Sequence, residues 1–245
     1  MRLMVLGSNS LGNCYVLEAD REALIIEAGC KLAEVKKALK WQLNKVVGAV
    51  VTHHHNDHAA YVNDFMSAGI RVLALESVFT EKGCSESGFK KVIEPMHGYI
   101  VGGFKIFAFP VVHDVPCVGY IIEHDEMGRT LFVTDTMALE YTFPPMNHIM
   151  LEANYALDIL DPKIESGRIH PAMRKRLIGS HMELETTKGI LLASDLSACN
   201  EVVLIHLSNG NSDEARFVSE VKEVTGLPTY AADAGMELNF SINPY

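Results

Sequence analysis

Four side chains able to bind a divalent cation crowd into six consecutive positions of this chain. They are His53, His55, Asp57 and His58, within the run Thr52-His53-His54-His55-Asn56-Asp57-His58. Residues two apart project to one side of an extended chain. His53 and His55 can therefore hold one ion, while Asp57 and His58, just past the turn, reach a second. Neutral imidazole and carboxylate are the usual ligands of zinc and its first-row neighbours. A surface histidine cluster would have no need of distant partners, but three candidates lie farther along the chain. Phe107-Ala108-Phe109-Pro110-Val111-Val112 leads to His113, Leu131-Phe132-Val133-Thr134 to Asp135, and Val202-Val203-Leu204-Ile205 to His206. A lone histidine past a strand is often structural. Three such strand ends beside His-x-His-x-Asp-His suit a preorganised site, because strand ends are rigid supports with exposed tips.

These groups need elements to carry them. Leu3–Leu6, Cys14–Leu17 and Ala23–Glu27 read as three strands joined by short turns. Leu32–Leu43 has helical spacing with a basic face (Lys36, Lys37, Lys40). Val46–Val51 is a continuous apolar run, the mark of a buried strand. Ala59–Ala68 reads as a helix and Val72–Leu75 as a strand. Residues 82–103 read as loop with short strands. Phe104–Phe109, Val118–Glu123, Leu131–Thr134 and Ile149–Leu151 are further strands. Residues 155–180 read as irregular and partly helical. Glu183–Ala193 and Asp213–Thr225 are helices, Glu201–Ile205 is a strand, and short strands near Thr229 and Leu238 close the chain. No linker, low-complexity tract or clear internal repeat is visible. The expectation is one α/β domain over residues 1–245, mixed sheets with helices packed outside.

Size and composition agree. A chain of 245 residues, 48% hydrophobic, suits one large domain. No segment approaches eighteen apolar residues, so no membrane helix is expected, and the apolar start is too short for a signal peptide. Five cysteines, odd in number, widely spaced and without a CxxC, indicate neither a disulfide framework nor a thiolate zinc site. A reducing, cytoplasmic setting is the simplest inference. The net charge of −10 gives no general handle for nucleic acid, although two bound dications would add local positive charge that the formal count omits. No G-x-x-x-x-G-K-[ST], G-x-G-x-x-G or G-x-S-x-G occurs.

With these residues in place, the chain resembles the metallo-β-lactamase-fold superfamily, and within it the YycJ/WalJ-like branch of small hydrolases with exonuclease activity. The matching stretches run through most of the sequence: Gly7-Ser8-Asn9-Ser10-Leu11-Gly12-Asn13, His53 to His58, His113, Thr134-Asp135-Thr136, Leu151-Glu152-Ala153-Asn154, Ser180-His181 and His206-Leu207-Ser208. The resemblance implies an αββα sandwich with a two-metal site. It places His53, His55 and His113 on the first metal, Asp57, His58 and His206 on the second, and Asp135 between them. Such a pair sits about 3.5–4 Å apart and ionises a water near neutral pH. Zinc is favoured by the histidine-rich first site, with manganese or iron as alternatives. There are departures. His181 is followed by Met182-Glu183-Leu184 where Leu-Ser-Asn is usual, and His54 replaces an acidic or small residue. No β-CASP insertion is present.

The resemblance also implies a role for His181, which is not needed as a ligand. It would contact the scissile phosphate or protonate the leaving oxygen, although a turn histidine capping the helix from Glu183 is the plainer reading. Glu152 can accept a ring N–H from a ligand histidine. Asn13 and Asn154 can line the cleft, though asparagine in a turn needs no such role. Asp114, directly after His113, can support a ligand. Lys163, Arg168, His170, Arg174, Lys175 and Arg176 form the densest basic stretch, and Arg174, Lys175 and Arg176 are the candidate phosphate-tracking edge. His54, His97, His124 and His148 read as structural or exposed.

The function expected is a nucleic-acid phosphodiesterase, a 5′-to-3′ exonuclease on DNA, in which Asp57 orients a hydroxide and His181 serves the phosphate or the leaving group. Two alternatives stay open. One is a small-molecule hydrolase of the same fold, opening cyclic nucleotides or cleaving a lactone, thioester or β-lactam, since fold alone does not choose a substrate. The other is a metal-holding module that binds nucleic acid or a partner without turnover. A groove edged by the arginines would favour a polymer and a closed pocket a small molecule.

Overall fold

A computed structural model describes residues 1–242, and its strands build two seven-stranded sheets. The first half of the chain gives β1 (Arg2–Asn9), β2 (Gly12–Glu18), β3 (Ala23–Ile26), α1 (Leu32–Ala38), β4 (Val46–Val50), α2 (Asn56–Ala59), α3 (Val62–Ser67), β5 (Val72–Ala74), α4 (Glu76–Glu81) and β6 (Lys90–Val92). The second half gives β7 (His97–Val101), β8 (Phe104–Val111), β9 (Cys117–His124), β10 (Gly128–Val133), β11 (His148–Glu152), α5 (Leu157–Glu165), α6 (Pro171–Ser180), α7 (Leu184–Ala193), β12 (Glu201–Ile205), α8 (Glu214–Thr225), β13 (Thr229–Ala231) and β14 (Glu237–Asn239). The sheet orders are β14-β1-β2-β3-β4-β5-β6 and β13-β12-β11-β10-β9-β8-β7.

Each sheet begins as antiparallel strands and continues as parallel ones. In the first, β14, β1, β2 and β3 pair antiparallel, and β3 to β6 pair parallel. In the second, β7 to β10 pair antiparallel and β10 to β13 parallel. The two halves thus share one pairing scheme, with the C-terminal β14 filling in the first sheet the place that β7 fills in the second. The sequence shows no clear internal repeat to match this architectural one.

Both faces of both sheets are covered, which the period-2 alternation records. Leu3, Val5, Tyr15, Leu17, Phe104, Ile106, Tyr120 and Phe132 belong to one core between the sheets. Their neighbours Met4, Cys14 and Val16 point the other way, onto Val35, Val62, Phe65 and Phe79 of the first helical layer. Leu131, Val133 and Leu204 meet Leu191, Phe217 and Val221 of the second layer. The result is the expected αββα stack.

Differences from the sequence reading are local. The helix from Leu32 ends at Ala38 because Lys40 and Trp41 take positive φ. The segment expected as one helix over Ala59–Ala68 is two, broken where Tyr61 leaves helical geometry to donate its N–H to Ala28. The helix Glu76–Glu81 was not expected. Residues 155–180 hold two helices, α5 and α6, despite Pro162 and two glycines. Among the described residues no helix is long and apolar enough to cross a membrane.

Candidate metal centre

The candidate ligands converge along one edge of the sandwich, beyond the C-terminal ends of β4, β8, β10 and β12. Parallel strands end on the same side, and β8 and β10, both antiparallel to β9, also run together. His53 follows β4, His113 follows β8, Asp135 follows β10 and His206 follows β12. Asp135 and His206 leave their strands with φ of 50° and 55°, a conformation that non-glycine residues rarely adopt and that clusters at functional sites. At both places the backbone turns sharply to swing the side chain inward.

Two groups of donor atoms face a shared carboxylate. His53, His55, His113 and Asp135 can each offer one atom within 4.8 Å of the others, as can Asp57, His58 and His206. Asp135 Oδ2 stands 3.8 Å from Nε2 of both His53 and His113. Its Oδ1 stands 3.2 Å from Nε2 of His58. Asp57 Oδ2 lies 3.4 Å from His58 Nε2 and 3.3 Å from His206 Nε2. The buried Nε2 of His53 has no hydrogen-bond partner, an arrangement costly for a polar atom unless something else satisfies it. A cation fits that need, and the donor set of imidazoles and carboxylates is the right chemistry for one. A third grouping, Asp135, Glu152, His181 and His206, also falls within cation-binding reach.

The ring orientations are fixed from behind. His113 Nδ1 donates to the Ser180 carbonyl at 2.9 Å, which aims its Nε2 at the cluster. Thr134 Oγ1 donates to Asp135 Oδ1 at 2.6 Å. Asn13 Nδ2 lies 3.1 Å from His58 Nε2 and 3.3 Å from the Asp57 carbonyl, so this buried side chain braces the motif from inside. Asn154 lines the cavity and donates to the His206 carbonyl at 2.8 Å. Asp114 Oδ1 stands 3.1 Å from His113 Nε2 and 3.5 Å from His55 Nε2.

Glu152 is fully buried at the end of β11. Its Oε1 lies 2.8 Å from Nδ1 of both His181 and His206, and its Oε2 accepts from the backbone N–H of Thr136 and Met182. His181 is the C-cap residue of α6, while Glu183 itself caps α7, accepting from the N–H groups of Glu185 and Thr186. The capping role considered for His181 is therefore filled by its neighbour.

Sequence reading missed Glu27. This carboxylate is completely buried, accepts from Thr52 Oγ1 at 2.6 Å and stands 3.4 Å from His58 Nδ1. Thr52 Oγ1 in turn lies 2.9 Å from His53 Nδ1, so one carboxylate steadies both sides of the motif. The available signal was an acidic residue ending the apolar strand Ala23–Ile26.

The field of the site is strongly negative. Burial alone would lower His206, but Asp135, Asp57 and Glu152 outweigh it and push the imidazole up to about 10. Burial would also lower His58, but Asp135, Glu27 and Asp57 outweigh it and raise the imidazole well above its ordinary value. Burial holds His53 well below its ordinary value, in the neutral form a metal ligand needs.

The site opens into a cavity of about 680 Å³, lined by Asp57, His113, Asp135, His206 and His181 and also by Arg168, Ile169 and His170 ahead of α6 and by residues of α6 itself. Of the basic stretch, Arg168, His170 and Arg176 line it. Arg174 instead forms a two-point pair with Asp161, at 2.7 and 3.2 Å, Lys163 bonds the Gly210 carbonyl, and Lys175 is exposed outside the lining. The expected edge of Arg174, Lys175 and Arg176 thus brings only Arg176 to the cavity. At about 100° per helical residue, Arg174 and Arg176 point to nearly opposite sides of α6, so the three cannot share a face. His148 is buried between Glu201 and the Met127 carbonyl, His124 pairs with Glu22, His97 is exposed and His54 is half-buried beside the motif.

Comparison with known proteins places this geometry. Exodeoxyribonuclease WalJ of Streptococcus pneumoniae is 23% identical over 257 residues, covering 97% of this chain and 91% of its own length. Exodeoxyribonuclease YycJ of Bacillus anthracis is 24% identical over 243 residues, covering 92% and 90%. The crystal structure of the metallo-beta-lactamase fold protein YhfI from Bacillus subtilis superposes with a TM-score of 0.75 at 16% identity, over 97% of this chain and 98% of that one. The sequence pattern of the metallo-beta-lactamase superfamily spans residues 8–142, from the first hairpin through the histidine motif, His113 and Asp135. The chain is a metal-dependent hydrolase belonging to the metallo-beta-lactamase superfamily.

Proposed function

We propose that the chain is a two-metal phosphodiesterase acting on nucleic acid, a 5′-to-3′ exonuclease on DNA, built as one domain over residues 1–245. In this reading His53, His55 and His113 would hold one divalent cation, Asp57, His58 and His206 would hold another, and Asp135 would serve both. Zinc suits the imidazole-rich group, with manganese or iron as alternatives. The observation that carries the nucleic-acid reading is kinship along nearly the whole chain with proteins named exodeoxyribonuclease.

Bound cations supply Lewis acidity toward phosphoryl oxygens and lower the pKa of water. The remaining work falls to side chains. Asp57, which lines the cavity, would orient the attacking water. His181 stands on the cavity wall with its Nδ1 held by Glu152, which stabilises the protonated ring and raises its pKa although burial opposes this. A charged His181 can hold the phosphate and give a proton to the leaving oxygen. Asn154 keeps the turn after β12 in place.

The cavity volume favours a second reading. About 680 Å³ lies within the range of small-molecule sites, roughly 300–1,000 Å³, so a cyclic nucleotide or similar small diester also fits. One assay panel separates the two. Purified protein is given 5′-phosphorylated single- and double-stranded DNA, RNA and cyclic nucleotides with zinc or manganese. Release of mononucleotides from DNA, lost in Asp57→Ala, is expected. Turnover of cyclic nucleotides alone would install the second reading. DNA cleavage undiminished in Asp57→Ala would sink the assigned site.

A further inference from the structure

We propose that Arg168 and Arg176 form a second anion subsite that takes a terminal phosphate monoester of a nucleic-acid chain. The proposal rests on the phosphodiesterase reading above and names the part of the substrate that the α6 wall of the cavity receives. α6 supplies the wall. Met173, Arg176, Leu177 and Ser180, spaced i, i+3, i+4 and i+7, all line the cavity and so form one helical face. Ser180 marks the reacting end, since its carbonyl accepts from His113. At about 1.5 Å per residue, Arg176 lies about 6 Å back along the helix from Ser180. Arg168 lines the same cavity from the turn before α6.

Position and charge pairing together single these two residues out of the basic stretch, since Lys175, also without an ion pair, lies off the cavity. Arg174, off the cavity face, is neutralised by Asp161, and Lys163 is occupied by the Gly210 carbonyl. Neither Arg168 nor Arg176 has an ion-pair partner among the described residues. Both guanidinium groups are solvent-exposed on the cavity wall and, in a chain of net charge −10, stand free to meet an anion from outside. Their planar forks match phosphate oxygens two at a time. His170, on the same wall, uses Nδ1 to accept the Ala172 N–H, which leaves its Nε2 N–H as a further donor. Ile169, Met173 and Leu177 put apolar surface beside these cations, suited to the sugar and base next to the phosphate. A subsite that reads a terminal phosphate selects chain ends over internal positions.

The test uses the full-length chain in EDTA at low salt, so that nothing turns over. Thymidine dinucleotides carrying a 5′-phosphate, a 3′-phosphate or only hydroxyl ends are titrated calorimetrically. One phosphorylated form is expected to bind about tenfold or more tightly than the hydroxyl form, the worth of one charge-assisted contact. The Arg168→Gln/Arg176→Gln double variant, with its Tm checked against wild type, is expected to lose that advantage. Equal binding of all three forms, or an advantage that survives in the double variant, overturns the proposal. A chain that discriminates phosphorylated ends through these arginines yet releases no nucleotide from DNA keeps the subsite and loses the nuclease reading. A chain that degrades DNA without discriminating ends does the reverse.

Discussion

Burying a carboxylate costs several kcal/mol unless charge and hydrogen bonds compensate it, and Glu27 is buried with no lysine or arginine partner among the described residues. Burial pushes its carboxyl above the ordinary value, and His58 and Thr52 pull it back. Its compensation therefore comes from the histidine motif, and the motif's order depends on it in return. Groups that orient ligand histidines are typically worth about 10- to 100-fold in metal affinity. Glu27→Gln, nearly equal in volume, is expected to weaken cation binding by about that factor with the fold retained. Competition against a chelating dye measures it, and unchanged affinity would mean that Glu27 serves only packing. This residue was hard to foresee because no ligand-spacing pattern surrounds it in the sequence. The histidine motif was legible for the opposite reason, its donors being local. Asp135 and His206 could be placed after strands, but their left-handed backbone could not be read from residue type.

At the scale of elements, the motif is held by a close approach between the turn after β3 and the start of α2. Gly29 donates to the Asn13 carbonyl at 3.0 Å, and a Cβ added there would stand 1.8 Å from the Asp57 carbonyl oxygen. Backbone cannot yield as a flexible side chain can, so Gly29→Ala is expected to destabilise the protein by more than about 2 kcal/mol. Gly189 gives the contrast. It is exposed in α7 with nothing near its missing Cβ, so Gly189→Ala is expected to stabilise by up to about 1 kcal/mol. Urea midpoints of both variants test the pair, and a tolerated Gly29→Ala would show that the turn and the motif are not locked together. The strands were readable because apolar runs bounded by turns are strong local patterns. The helices of residues 155–180 were not, since Pro162 and Gly167 interrupt the apolar periodicity while α5 and α6 are held by tertiary contacts such as Lys163 with Gly210 and Arg174 with Asp161.

The whole molecule gathers Glu27, Asp57, Asp135 and Glu152 at one edge of two sheets. In the metal-free protein, protons on His58 and His206 answer that negative field. The stability consequence has a sign for each group. His206 rises from 6.5 to about 10, so its contribution is full below pH 6.5 and is lost as pH climbs toward 10. Asp57 is held below its ordinary 3.8 despite burial, chiefly through His206 and His58, so its contribution is present above pH 3.8 and is lost as pH falls. The metal-free cluster is therefore most stabilising between pH 3.8 and 6.5. A divalent cation replaces the proton on an imidazole without titrating away, and it binds more tightly as pH rises. The gain in Tm on adding zinc to EDTA-treated protein is accordingly expected to grow from pH 6 to pH 9, and elemental analysis of untreated protein is expected to give two cations per chain. A gain in Tm that stays flat across this range would mean that the cation does not compete with those protons. The carboxylates would then be serving the fold through their histidines alone.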